Sequence, residues 1–589
     1  MPDADRETIN ELQLKFLRLK DARTKLEMVN KNVTELFCPA RGRYPGDDFK
    51  PDQMQGMRMD RIIDSATMEA LEVAQNGMHS GLTPPSSPWF RLAFEDSALN
   101  RFGPARNWLD MLQKVVYTVL ARSGFYSNIH STYGEVLSFS TGAFTKQRDP
   151  NVGLCFDHMT FGEYWISSSA LNKVDTFARS RWFTAKQIVQ GFGEDRVSKA
   201  VKDDYSKPTS QFNAYELIHF VQPRINRNPD RIDSKNMPFM SVWFENQSAA
   251  ELGSQTLMAS TSSPHMLRES GYKRFPYYVP RWNIIGSNMY GTDSPGMKQM
   301  NEARYLMDMK ESMIVAVHKE VEPPVRAPTS LRGTNIRSQA GGVTYSDDEK
   351  DKLTALYAVK FNLEAGQALL QESRQAIKNG FFNNLFLMIQ SLENQADRVT
   401  ATQIKEMKAQ GLLQIGPFVE HMVLEGGVMD QVVESVIDDV IEFHDWYQMP
   451  LPPQEVQGAH FKIVYQSILA QAQLEVIKQA IDETVNFAMT AEKVFPEAAD
   501  LIFIDEAIRE RADIARCPAR VIRSEEEVQA IRDRRKQEQE KQEQLQMLQM
   551  GAKGAQTLAR SPTDPKKPNL LTSLASAMQG GGGEEGAEQ

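Results

Sequence analysis

Gly77-Met78-His79-Ser80-Gly81-Leu82-Thr83-Pro84-Pro85-Ser86-Ser87-Pro88-Trp89-Phe90 punctuates the N-terminal third of the chain. Just upstream, residues 58–80 carry Ile63, Ala66, Ala70, Ala74 and Gly77 at intervals of three and four, which predicts a helix. Gly81 is placed to supply the left-handed residue that ends it. Pro84, Pro85 and Pro88 each fix φ and disfavour helix in the residue before them, so an extended turn follows. Trp89-Phe90-Arg91-Leu92 then reads as a short strand, and His79 and Trp89 as packing residues of the surrounding core.

Working outward, residues 7–36 and 104–125 read as helices, and 133–290 as short antiparallel strands separated by Pro, Gly and Asn. A long helix over 295–320 opens with Pro295 at its first position. Residues 321–365 are punctuated by Gly and Pro, with candidate strands at 343–345 and 357–359. A second long helix, 366–391, is unusually apolar through Phe381, Phe382, Leu385, Phe386 and Ile389; either it is buried in its own domain or it packs against neighbouring subunits. A polar gap at 391–399 holds Glu393, Asn394, Gln395, Asp397 and Arg398. Helix resumes at 400, and 418–444 carries a stripe of Val433, Val436, Ile437, Val440 and Ile441. Residues 466–549 are almost all helix, with a capping box from Ser524 to Glu527, and 550–589, including Pro565-Lys566-Lys567-Pro568, read as a flexible tail. The fold class is mainly α, with an α+β N-terminal half.

The chain has 589 residues, enough for several cores, and its 41% hydrophobic and 24% charged residues exclude wholesale disorder. A net charge of −10 argues against a protein that coats DNA, because such binding draws on a basic surface. No apolar run approaches the roughly 20 residues that a membrane span needs, so no membrane partner is expected. The acidic, polar start resembles no secretory signal, which points to synthesis in the cytosol. The three cysteines are too far apart for a metal or redox pair. Gly191-Phe192-Gly193 begins like a dinucleotide fingerprint, but Arg196 stands where glycine is required. His444-Asp445 lacks a second histidine for a metal, and the adjacent Asp438-Asp439 reads as a solvated helix face. No catalytic residue, cofactor or metal site is expected.

The segment 65–90, with Gly77, His79, Gly81, Pro84, Pro85 and Trp89, resembles the signature of the head-to-tail connecting, or portal, proteins of short-tailed bacteriophages. Pro280-Arg281-Trp282 with Tyr290-Gly291-Thr292-Asp293-Ser294-Pro295-Gly296 resembles another family segment, as do Arg398-Val399-Thr400-Ala401-Thr402 with Gly416-Pro417, and Arg523-Ser524-Glu525-Glu526-Glu527. The resemblance covers roughly 60–535. It implies a portal-type fold: a wing from 1–294 and 400–465, stem helices 295–320 and 366–390, a clip 321–365, a channel loop 391–399 and a helical crown or barrel 466–549, with the tail 550–589 outside it. It implies a homo-oligomeric ring of twelve at one capsid vertex of the virion, assembled in the host cytoplasm. Double-stranded DNA passes through that ring, and a terminase packaging motor, capsid or scaffolding protein and a tail adaptor dock on it. Twelve copies carry about −120 (12 × −10), so a uniformly basic bore is not expected. Arg398 either faces DNA or pairs with Asp397 or Glu393 at a helix start. The rival reading is a non-catalytic cytosolic helical scaffold or adaptor with 525–549 as its coiled coil, which the weak heptad there disfavours.

Overall fold

The computed structural model describes residues 3–39, 62–96, 99–100, 102–149, 153–231, 233–246, 265–332, 336, 353–356, 362–387, 415–422, 426–456, 458–465, 481–488, 490, 503–514 and 525–559. Helices predominate over several small antiparallel sheets. Helix α1 (Asp3–Phe37) and helix α2 (Ala66–Leu82) precede strand β1 (Phe90–Phe94). Helices α3 (Gly103–Arg122) and α4 (Phe125–Phe139) lead into β2 (Ala143–Asp149), β3 (Gly153–Met159), β4 (Tyr164–Ser168) and β5 (Val174–Thr184). Helices α5 (Ala185–Phe192) and α6 (Lys199–Tyr205) interrupt the sheet before β6 (Ala214–Pro223), β7 (Phe239–Glu245), β8 (Met266–Tyr272) and β9 (Tyr277–Tyr278).

Strands β4 to β8 form a five-stranded antiparallel meander in chain order. Alternation along the strands gives it two faces. Trp165, Ala178, Ile218, Phe220, Val242 and Phe244 share one face and pack on Ile9, Leu12 and Phe16 of α1. Leu217 and Leu267 on the other face meet Ile188, Val189 and Val201 of α5 and α6. The second half of α1, with Val33 and Phe37, enters a larger core shared with α2, α3 and α4. Arg23 sits between the two halves, 1% exposed, paired with Glu27 and lying over the Trp165 ring at 4.3 Å, so its charge is compensated where it is buried.

Helix α7 (Pro295–Val321) runs against α8 (Leu363–Gly380), and a short pair, β10 (Val325–Arg326) with β11 (Thr354–Ala355), joins them near their far ends. Helix α9 (Val428–Glu442) buries Val432, Val433, Val436 and Val440 in the main core. Strand β12 (Phe461–Tyr465) pairs with β1 in antiparallel register, Phe90 opposite Tyr465. Helices α10 (Ile504–Ile514) and α11 (Glu525–Ala559) follow, and α11 is mostly charged and polar, with Leu545, Met547 and Met550 exposed toward its end.

Several expectations are corrected. Gly81 is not a left-handed terminator; it is buried inside α2, which runs on to Leu82 because the Thr83 amide still reaches the His79 carbonyl before Pro84 stops it. The second long helix is not continuous over 366–391: α8 ends at Gly380, Phe382 has φ +59, and helix resumes at 383–387. Asp439 does not lie on a solvated face; it is 3% exposed and paired with Lys146 and Arg148. Helix α11 continues ten residues into the segment read as tail. The candidate strands 343–345 and 357–359, the cap at Ser524, Ile389 and the whole gap 391–399 with Glu393, Asn394, Gln395, Asp397 and Arg398 lie outside the described residues.

Candidate functional site at the root of the α7–α8 pair

Helix α7 is launched by a knot of backbone contacts. Ser294 caps it, accepting from the Met297 amide at 3.3 Å and donating its own hydroxyl to the Ser138 carbonyl at 3.0 Å. The Ser294 amide donates to Ser140 Oγ at 3.0 Å, and the Gly291 amide to Thr141 Oγ1 at 2.9 Å. Gly291 and Gly296 lie so close to the Ser140 and Ser138 backbone that a side chain at either would overlap it. The Tyr290–Gly296 motif is thus the device that fixes the direction of α7 against the end of α4.

Asp64 ties this root together. It is 3% exposed and sits just before α2, accepting from the Ala66 amide at 3.0 Å. Its other oxygen takes Lys310 Nζ of α7 at 2.9 Å and Arg374 Nη2 of α8 at 2.7 Å. Burial opposes its ionisation, but the bonds from Arg374, Lys310 and the Ala66 amide outweigh it and hold its pKa at about 2. Sequence reasoning missed Asp64, because its partners lie 246 and 310 residues away and no local pattern joins them.

The signature residues and the apolar segment after α8 meet. A side-chain carbon on Gly77 would overlap the Phe386 ring, so glycine is needed there for Phe386 to pack on α2. Phe381, Leu385 and Phe386 are buried in the chain's own core at 0%, 8% and 2% exposure, and Phe381 meets Phe37 at 5.1 Å. Phe382 is half-buried, and its ring lies near-parallel to Trp282, whose other neighbour is Phe418 at 4.9 Å. Trp89 is fully buried; its Nε1 donates to Tyr126 at 3.3 Å and its ring stacks on Phe125 and Tyr465. His79 is half-buried beside His130, ring centres 5.4 Å apart, and burial followed by the His130 charge depresses its pKa to about 4. Pro84 and Pro85 stand in the turn between α2 and β1.

Beyond the root, the two helices carry apolar side chains into solvent. Ile314, Val315, Val317 and Val321 of α7 and Leu363 and Leu369 of α8 are 37–73% exposed. A groove of about 770 Å³ runs between the helices, with Met313, Ile314, Val317 and Leu370 along it and Lys310 and Arg374 at its base. Such a surface has the make-up of an unpartnered interface. No group of three or more acidic, His or Cys side chains that suits a metal ion occurs among the described residues.

Residues 10–522 match the bacteriophage head to tail connecting protein family. The chain belongs to this family. Among curated relatives, the connector chain is 32% identical over 575 residues to the portal protein of Salmonella phage epsilon15, covering 97% of this chain and 99% of that one. It is 29% identical over 554 residues to the probable portal protein of Bordetella phage BPP-1, covering 93% and 95%. The connector family is structural, and the resemblance carried by the Gly77–Phe90 segment is to the same family. No helix among the described residues is long and apolar enough to cross a membrane.

Proposed function

We propose that this connector chain is the phage portal: a ring of twelve copies at one capsid vertex of the virion, built in the host cytoplasm, through which double-stranded DNA is packaged and ejected. The wing comprises 1–294 with 400–465. The stem is α7 with the helical residues of 366–390, the clip 321–365, the channel loop 391–399 and the crown 466–549. The clip and wing are the docking faces for the terminase motor, the tail adaptor and the capsid or scaffolding protein, and the protein makes or breaks no covalent bond.

One observation carries this reading: two antiparallel helices, rigidly rooted through Asp64, hold a row of exposed aliphatic side chains away from the chain's own core. In a head-to-tail ring each copy covers its neighbour's row, and a rotation that closes makes a ring rather than a filament. Near full-length likeness to two proteins named as portals supports the assignment. The test is solution mass by light scattering with negative-stain images of the same fraction. A particle near 800 kDa (12 × 66.7 kDa) with a central hole is expected. A chain that stays monomeric at high concentration and with scaffolding protein present overturns the portal and favours the adaptor.

A further inference from the structure

A second surface lies where the β2–β3 hairpin meets the end of α9. Phe443, Trp446 and Tyr447 line a pocket of about 250 Å³ with Arg148, Asp149, Gly153, Leu154 and Asp439. Phe443 is 41% and Trp446 56% exposed, unusual for rings that meet in a cleft.

Three features define what it accepts. First, Gly153 has φ +91 and forms the floor; the position of a side-chain carbon there lies 3.2 Å from the Tyr447 hydroxyl and 3.6 Å from Trp446 Nε1. The two polar tips therefore converge on one point, and neither has a hydrogen-bond partner among the described residues. Two convergent donors between aromatic faces suit the carbonyls of an extended peptide, the arrangement by which aromatic grooves take proline-rich segments. Second, the Arg148 guanidinium stands over the Phe443 ring at 4.5 Å and is tied to Asp439, so one wall is already set. Third, the charged lining is Arg148 against Asp149 and Asp439, and the ion pairs around it bring in Lys146, Lys273 and Arg274 with Glu434, Asp438 and Glu442, so that with Asp445 next to Trp446 the surroundings hold four cations to six carboxylates. A basic occupant is favoured.

The chain itself contains a segment of that chemistry. Pro562-Thr563-Asp564-Pro565-Lys566-Lys567-Pro568 has prolines at three-residue spacing twice over, with two lysines between the last pair. It follows the end of α11 at Ala559 by two residues. Three residues per turn is the period of the polyproline helix, in which prolines at this spacing would share one edge and leave the others to the lysines. Neither α11 nor the family resemblance gives this segment a role. We propose that the Phe443–Trp446–Tyr447 pocket is the docking site of the chain's own 562–568 segment, with prolines against the rings and Lys566 and Lys567 toward the surrounding carboxylates.

The experiment uses the full chain with a photo-reactive benzoylphenylalanine in place of Asp445, which flanks the pocket, and identifies cross-linked peptides by mass spectrometry. The expected product joins position 445 to residues 560–570. Its yield falls at least five-fold with Pro565→Ala/Pro568→Ala, with Lys566→Glu/Lys567→Glu, and with Trp446→Ala. A synthetic peptide spanning 560–570, added in excess to the full chain, lowers the yield in the same way, while one with the prolines replaced by alanine does not. The tail substitutions lie outside every core described above, so unchanged thermal unfolding separates lost docking from lost fold. A cross-link to another segment or to a foreign protein, or yields that ignore the proline and lysine changes, overturns the proposal.

Discussion

At the residue scale, two groups whose pKa values are lowered on folding both lose stability as pH falls, in different windows. The Asp64 carboxyl is depressed to about 2 when folded, so its contribution is complete above the ordinary carboxylate pKa and is lost as pH falls through about 2. Asp64→Asn leaves Lys310 and Arg374 without their shared carboxylate and is expected to cost about 2–4 kcal/mol. Calorimetry at neutral pH should show a clear fall in Tm, and an unchanged Tm would remove Asp64 from the root. His79 works in the same direction but at higher pH. It is neutral in the fold with a pKa near 4, and the unfolded chain takes up its proton near 6.5. Its contribution is therefore full above pH 6.5 and declines as pH drops from there to 4, by roughly 1–3 kcal/mol at most. Urea midpoints at pH 7 and 4.5 should differ more in wild type than in His79→Gln; parallel behaviour would refute the assignment. Neither effect is visible in sequence, where Asp64 is one of many carboxylates and His79 gives no sign that His130 is its neighbour.

At the element scale, most helices and strands were legible because their period is written in apolar residues, as in α7 with Pro295 at its start and the stripe of α9. Helix α4 was not. Phe125-Tyr126-Ser127-Asn128-Ile129-His130-Ser131-Thr132-Tyr133-Gly134 is poor in good helix formers, and the sequence reading ends a helix at 125 and begins strands at 133. Burial decides instead: Phe125, Ile129, Tyr133 and Val136 are at 0% exposure, and the packing they gain outweighs their weak propensity. The break at Phe381-Phe382 was likewise illegible, since two phenylalanines in an apolar run extend a helix by pattern, whereas Phe381 packs at a tilt against Phe37 and Phe382 stacks on Trp282. The contact between α2 and the segment after α8 makes a direct prediction. Gly77→Ala puts a methyl into the Phe386 ring and is expected to destabilise by about 1–3 kcal/mol. Phe386→Ala alone opens a cavity and costs about 3–5 kcal/mol. In the double variant the overlaps with the Phe386 ring carbons are gone and only that with the remaining Cβ at 386 stays, so the two losses should still fall short of their sum by more than about 0.5 kcal/mol. Simple additivity in denaturant unfolding would mean the two residues do not touch.

At the scale of the whole molecule, sequence and structure separate two kinds of apolar residue that composition alone merges. The sequence left Phe381, Phe382, Leu385, Phe386 and Ile389 either to the chain's own core or to subunit contact on hydrophobicity; Phe381, Leu385 and Phe386 are buried in the chain's own core, and an exposed aliphatic row lies on α7. A carboxylate therefore has different consequences at the two places. Leu385→Asp buries an unpaired charge and is expected to lower the stability of the single chain by several kcal/mol, with ring loss only as a result. Val317→Asp, 37% exposed, should leave single-chain unfolding within about 1 kcal/mol of wild type yet abolish the ring on which the portal assignment depends. Calorimetry on the unassembled chain and particle mass on the assembled one distinguish the two, and a full ring from Val317→Asp would move the interface off α7. Shortening 391–399 is the complement: assembly draws on the stem, so the ring should form as in wild type, while DNA packaged or retained per capsid falls. Normal packaging by such rings would detach that segment from the channel and leave the Asp64-rooted stem as an assembly device alone.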